Sequence, residues 1–147
     1  SKMKKILFLC TGNSCRSQIA EGIAHSIFDD SYQIESAGTE KHGVNPNAIQ
    51  TLKEIDIDIS SYTSKIIELS RLNDFDIIIT LCGDAKDKCP VLDDRIKHIH
   101  WDLKDPAKFQ GTDLEVKAHF GYTRDLILNK IKQLKSNLEK GNLWWFI

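Results

Sequence analysis

The 147-residue chain predicts an α/β protein built on a parallel sheet flanked by helices. Two observations carry that expectation. Lys4 to Leu9 and Asp76 to Leu81 hold the runs ILFL and DIIITL, apolar on both pleat faces like strands covered by helices on either side. Apolar residues at helical spacing separate such runs, and strands alternating with helices imply right-handed crossovers between parallel strands. The length suits one domain, 1–147, with a substantial core and no need of disulfide staples. No repeat, low-complexity tract or linker divides it.

Each element follows in turn. Lys4 and Lys5 mark the entry to the first strand. From Ser17, Ile19, Ala20, Ile23, Ala24 and Ile27 keep helical spacing as far as Asp29 and Asp30. A short strand is expected at Gln33 to Ser36, then a loop, AGTEKHGVNP, whose Pro46 opens a helix with Ala48, Ile49, Leu52 and Ile55 inward. Ser60 to Leu72 is assigned a further short helix. After the Asp76–Leu81 strand, Gly83, Asp84 and the charged run AKDK suggest a short, weakly anchored helix between Cys82 and Cys89. Arg95 to His100 reads as a weaker strand, and WDLKDPAKFQGT as a loop. A long helix starts near Asp113, with Val116, Phe120, Ile127, Ile131, Leu134 and Leu138 on one face. Ser1 and Lys2 read as an added remnant before a native Met3. Residues 139–147 form an extra tail whose apolar end, Leu143 to Ile147, is expected to pack back onto the domain.

Net charge is -1, with 41% hydrophobic and 28% charged residues, so no global field invites nucleic acid or an acidic membrane. No window nears the roughly 20 apolar residues that span a bilayer, and no signal core opens the chain. A cytoplasmic monomer is the expectation. Its four cysteines, Cys10, Cys15, Cys82 and Cys89, are then thiols, ligands or redox agents in preference to structural bridges. His25, His42, His98, His100 and His119 make no metal pattern.

The stretch CTGNSCRS, Cys10 to Ser17, joins the first strand to the first helix. Backbone N–H groups of Thr11, Gly12, Asn13, Ser14, Cys15, Arg16 and Ser17 can converge there on an oxyanion, and the helix adds partial positive charge. The Arg16 fork matches two oxygens of a tetrahedral anion. The same field favours a thiolate at Cys10, making it the nucleophile, with Ser17 donating a hydrogen bond to the sulfur and Asn13 holding the loop. Cys82 falls one position past another buried strand, as Cys10 does, and both therefore reach the same sheet edge, where ligands bind in such folds.

CTGNSCRS resembles the phosphate-binding loop of low-molecular-weight protein tyrosine phosphatases, Cys, five residues, Arg, Ser. That resemblance implies a four-stranded parallel sheet and a general acid in an Asp-Pro step, matched by Asp105 and Pro106. TLCGDAKDKCP at Thr80 to Pro90, with HGVNP, DIDIS and HWDLKDPAK, is similar to the thioredoxin-coupled arsenate reductases built on the same fold. The likeness spans roughly Lys4 to Leu134, and the triple Cys10, Cys82, Cys89 is its most specific part. It implies that Cys10 attacks arsenate, Asp105 protonates the departing hydroxide, Cys82 attacks Cys10, and Cys89 passes the disulfide outward to thioredoxin, with no bound cofactor. Glutaredoxin with glutathione is the alternative donor. Phosphate or sulfate would compete for the loop. Some relatives of this type bind potassium at positions matching Asn13, Glu21, Thr63 and a nearby carboxylate, but Lys65 stands at the last of these, and no metal is expected.

Other readings stay open on the residues. A phosphatase would need only Cys10, yet DPAK lacks the aromatic residues that usually follow the Asp-Pro step to grip a phosphotyrosine ring. A zinc site does not suit the cysteine intervals. A non-catalytic anion-binding module would bind phosphate without turnover. Cys15 is read as a packing or accessory thiol.

Overall fold

The computed structural model describes residues 3–141; Ser1, Lys2 and the apolar tail end lie outside the described residues. Four parallel strands make the sheet in the order β2-β1-β3-β4. The chain runs β1 (Lys4–Cys10), α1 (Arg16–Ile27), β2 (Tyr32–Gly38), α2 (Pro46–Lys53), β3 (Ile77–Thr80), α3 (Gly83–Lys88), β4 (Lys97–His100) and α4 (Asp113–Lys140). Short 3-10 turns occupy Leu69–Asp74 and Pro106–Lys108.

β1 is central, which is why its apolar run is continuous: Ile6, Leu7 and Phe8 are fully buried. Leu9 pairs with Ala37 on one side and Thr80 on the other. Cys10 and Cys82 thus leave neighbouring strands at the same carboxyl edge. β2 runs longer than its Gln33–Ser36 expectation because β1 pairs with it from Lys4 to Cys10. β4 starts late, since Asp93 makes a turn that ties Arg95 and Ile96 back to it.

α4 is closed at both ends. Thr112 and Glu115 form a reciprocal capping box, and Gly141 takes the left-handed cap with φ 68°. Its buried stripe, Phe120, Thr123, Ile127, Ile131 and Leu134, packs on α1 and α2. Burying each such large apolar side chain contributes roughly 1.5–3 kcal/mol.

The helix expected over Ser60 to Leu72 is not there. Residues 60–68 are irregular, and only the 3-10 turn at Leu69–Asp74 is helical. Long-range bonds explain the difference: the Lys65 carbonyl accepts from the Gly38 N–H, and Ser64 and Lys65 both bond to Asn13. Tertiary partners, among them an isolated parallel bridge between Gly38 and Ile66, override its weak helical preference.

Gly38 shows how tightly strand and loop meet. A Cβ there would lie 2.3 Å from the Glu40 carbonyl oxygen and 2.5 Å from that of Thr11, backbone atoms that cannot swing aside. Gly38→Ala is expected to lower unfolding free energy by about 3 kcal/mol, at the upper end for overpacking. Urea denaturation checks this, and an unchanged midpoint would contradict it.

Candidate active site

The loop from Cys10 to Cys15 turns its carbonyls outward. Thr39, Glu40, His42 and Asn45 donate their backbone N–H groups to the carbonyls of Cys10, Thr11, Gly12 and Ser14 at 2.8–3.1 Å. Asn13 O accepts from Ser64 Oγ and Gln18 Nε2, and Cys15 O from the Ile19 N–H. With every carbonyl occupied, the N–H groups of Gly12 to Ser17 are left without a partner among the described residues. Unpaired buried donors are costly unless an acceptor reaches them. A loop so arranged is complementary to an oxyanion.

Asn13 sets the loop's inner wiring. It adopts φ 48°, a left-handed conformation that Asn tolerates better than most residues. Its Oδ1 accepts from Gln18 Nε2 (3.0 Å) and the Lys65 N–H (2.9 Å), which fixes the amide's orientation. Its Nδ2 then donates to Ser17 Oγ at 2.8 Å and Ser36 Oγ at 3.0 Å. Ser17 accepts that hydrogen, so its own proton is free for Cys10 Sγ, 2.8 Å away. Ser36 likewise donates its hydroxyl hydrogen bond to Glu21 Oε1 at 2.6 Å. The fixed amide therefore orients a hydroxyl to donate to the Cys10 sulfur.

Glu21 ends this chain. Burial works against its ionisation, but hydrogen bonds from His25 and Ser36 and the Lys65 charge outweigh that, holding its carboxyl below the ordinary value. Lys65 Nζ lies 3.9 Å from Glu21 Oε1. This carboxylate already has a resident ammonium, so the Asn13, Glu21, Thr63 set does not fit a further cation. Among the described residues no three His, Cys, Asp or Glu side chains gather as a metal site.

Arg16 and Asp105 meet over the loop. Arg16 Nη1 donates to the Leu103 carbonyl at 2.8 Å, and Nη2 lies 3.7 Å from Asp105 Oδ2. Arg16 Nε is buried with no partner among the described residues, leaving a guanidinium donor for an anion. Asp105 Oδ1 caps the turn after Pro106 by accepting from the Ala107 N–H, so the proline-stiffened step aims the other oxygen inward. These groups open onto a cavity of about 870 Å³, also lined by Thr11, Cys82 and Asp84. Phe109 stacks on His119, and both, with Tyr122, form part of the same wall. The two residues straight after the Asp105-Pro106 step, Ala107 and Lys108, are not aromatic, but Phe109 next in the chain and His119 and Tyr122 on α4 supply an aromatic flank.

Of the expected site residues, Cys10, Arg16, Ser17, Asp105 and Cys82 come together; Cys89 does not. It caps the far end of α3, half-buried, and burial pushes its thiol up. Cys82 Sγ accepts from the Ala85 N–H at 3.4 Å and lies 3.2 Å from Thr11 Oγ1. All four cysteines are free. Burial first, then the Asp105 charge, pushes the Cys15 thiol up to about 12, which suits a packing thiol. Thr39, Ser36 and Gln18 also belong to the site though no motif marks them, and Asp84, which in the sequence marks only the short helix, joins them. For Thr39 a signal existed: it follows β2 at the same edge as Cys10.

The chain belongs to the low molecular weight phosphotyrosine protein phosphatase family, whose sequence pattern it matches over residues 5–143. Within that family its relatives include arsenate reductases. That of Bacillus subtilis (strain 168) is 52% identical over 130 residues, covering 88% of this chain and 94% of the relative. That of Staphylococcus xylosus is 50% identical, covering 78% and 91%. An arsenate reductase solved in a phosphate-binding state superposes with TM-score 0.73 at 35% identity, covering 92% and 98%. A low molecular weight protein tyrosine phosphatase from T. tengcongensis also gives 0.73, at 26% identity, covering 91% and 99%.

Because Glu21 is depressed when folded, its charge stabilises the protein above the ordinary value of 4.5; that contribution fades as pH falls through the lower folded value. Near neutral pH, Glu21→Gln is expected to cost about 1.5 kcal/mol, the scale of one hydrogen bond to a charged group. The gap to wild type should close on acidification. Urea melts across pH check this; a gap that widens in acid would reverse the sign.

Proposed function

We propose that this protein reduces arsenate to arsenite by passing oxidation along Cys10, Cys82 and Cys89, with thioredoxin restoring the dithiol. The observation that carries the reading is that a second thiol, Cys82, lines the cavity reached by Thr11 and Arg16 of the oxyanion loop that Cys10 opens, its sulfur 3.2 Å from Thr11 Oγ1. A hydrolase of this fold needs no second sulfur. The arsenate reductase relatives support the same choice.

In this reading the loop N–H groups and Arg16 hold three arsenate oxygens. Cys10 Sγ attacks arsenic, and the oxygen opposite leaves as water with the Asp105 proton. Cys82 Sγ then attacks Cys10 Sγ. The sulfur–arsenic bond breaks, its electron pair stays on arsenic, and As(V) leaves as As(III). Cys89 attacks Cys82, freeing the Cys10 thiolate and leaving a Cys82–Cys89 disulfide for thioredoxin to reduce through a mixed disulfide. For that bridge the α-carbons must approach to within about 7 Å, and α3 must give way. α3 buries only Ala85, so few contacts resist. The protein works as a monomer in a reducing compartment such as the cytoplasm, and phosphate or sulfate competes for the loop.

The aromatic flank of Phe109, His119 and Tyr122 favours a second, slower activity, hydrolysis of aryl phosphates at Cys10.

Arsenite production with thioredoxin, thioredoxin reductase and NADPH tests the proposal. Cys10→Ser, Cys82→Ser and Cys89→Ser should each abolish sustained turnover, and Asp105→Asn should lower it by about 10²–10⁴. Cys82→Ser should keep any hydrolysis of p-nitrophenyl phosphate. Sustained arsenate reduction by Cys82→Ser would sink the relay.

A further inference from the structure

Asp84, on the first turn of the helix that carries the resolving thiols, reaches back to the oxyanion loop. Its Oδ2 accepts from Thr39 Oγ1 at 3.1 Å and lies 3.4 Å from Thr11 Oγ1. Its Oδ1 pairs with Lys88 Nζ at 3.3 Å, one turn on. Thr39 in turn sits 3.3 Å from the Thr11 carbonyl oxygen. Thr11 Oγ1 is thus shared: Cys82 Sγ is 3.2 Å from it on one side and Asp84 on the other.

A hydroxyl has one hydrogen. If Thr11 donates to Asp84, Cys82 can use the contact only as a thiol, donating to Thr11. If Cys82 is a thiolate, it takes the Thr11 hydrogen together with the Ala85 N–H, and Asp84 falls back on Thr39 and Lys88. The two arrangements differ by proton positions and need no movement of heavier atoms.

We propose that Asp84 is a positioning residue that competes with Cys82 for the Thr11 hydrogen, limiting the thiolate form of Cys82 while α3 is folded onto the loop. Asp84 is charged at neutral pH: burial opposes this, but Thr39, Lys88 and Thr11 outweigh burial and hold its carboxyl below the ordinary value. Thr39 and Lys88 moderate the competition by occupying the carboxylate. When α3 loosens, Asp84 departs and Thr11 serves only sulfur. The helix then couples release of the Cys82 nucleophile to the same motion that frees Cys89. Other charged groups on this cavity are Arg16, Asp102, Lys104, Asp105, Lys108 and His119; none is hydrogen-bonded to Thr11. Burial, with the charges of His100 and of Lys86 on α3 adding to it, holds the His98 imidazole below its ordinary value.

The inference rests on Cys82 as the relay's second sulfur, but its test reads that thiol without turnover, so its failure is separable from failure of the reductase reading. Fully reduced protein is treated with iodoacetamide, and modification of the Cys82 peptide is timed by mass spectrometry. Asp84→Asn, which removes the charge and keeps the shape, should raise the rate about tenfold at about pH 7, the scale of removing one nearby like charge. At about pH 10, above the ordinary value of a thiol, the same substitution should change the rate much less. Thr39→Val should act oppositely, slowing modification at about pH 7, because Asp84 then leans harder on Thr11. Equal acceleration of Asp84→Asn at both pH values would mean mere exposure and overturn the proposal. So would an unmoved rate at about pH 7, or faster modification in Thr39→Val.

Discussion

Everything in this site depends on one buried amide. Asn13 sits at φ 48°, and with both its oxygen and its nitrogen committed, it cannot flip without stranding several buried partners. Its orientation decides which way the hydroxyls of Ser17 and Ser36 point, and through Ser17 it decides what the Cys10 sulfur meets. Interior hydrogen bonds polarise one another and are expensive to leave half made. The wiring is therefore held in a single state by cost of failure as much as by attraction.

Around that amide the loop's polarity is set from outside. The backbone of Thr39 to Asn45 occupies loop carbonyls, so the donors face the opposite way. This division of labour is economical: one strand of irregular chain removes the acceptors and leaves a nest of amides. Gly12 belongs to the same arrangement, since a Cβ there would meet the His42 ring at 2.3 Å.

The resolving side is built by a different rule. α3 has six residues, and of these only Ala85 is buried, while Asp84 joins it to the loop through shared hydroxyls. A rigid nucleophile beside a lightly held helix fits a chemistry in which the first sulfur must wait and the next must travel. Local stability is lowest where few apolar contacts are buried.

The sequence by itself determined the two buried strands, the strand-loop-helix context of CTGNSCRS and the placement of Cys10 and Cys82 at one sheet edge, because pleat and helix periodicity are local. Asp105 was marked only by the likeness of its Asp-Pro step to that of the phosphatase family. Tertiary structure alone decided that residues 60–68 stay unwound, since their partners, Asn13 and Gly38, are distant in sequence. It alone built the aromatic flank from Phe109, His119 and Tyr122, and alone brought Thr11, Thr39 and Asp84 to one shared hydrogen. Such convergences depend on how crossovers return to the sheet edge, and no local pattern encodes where a hydroxyl will find its acceptor.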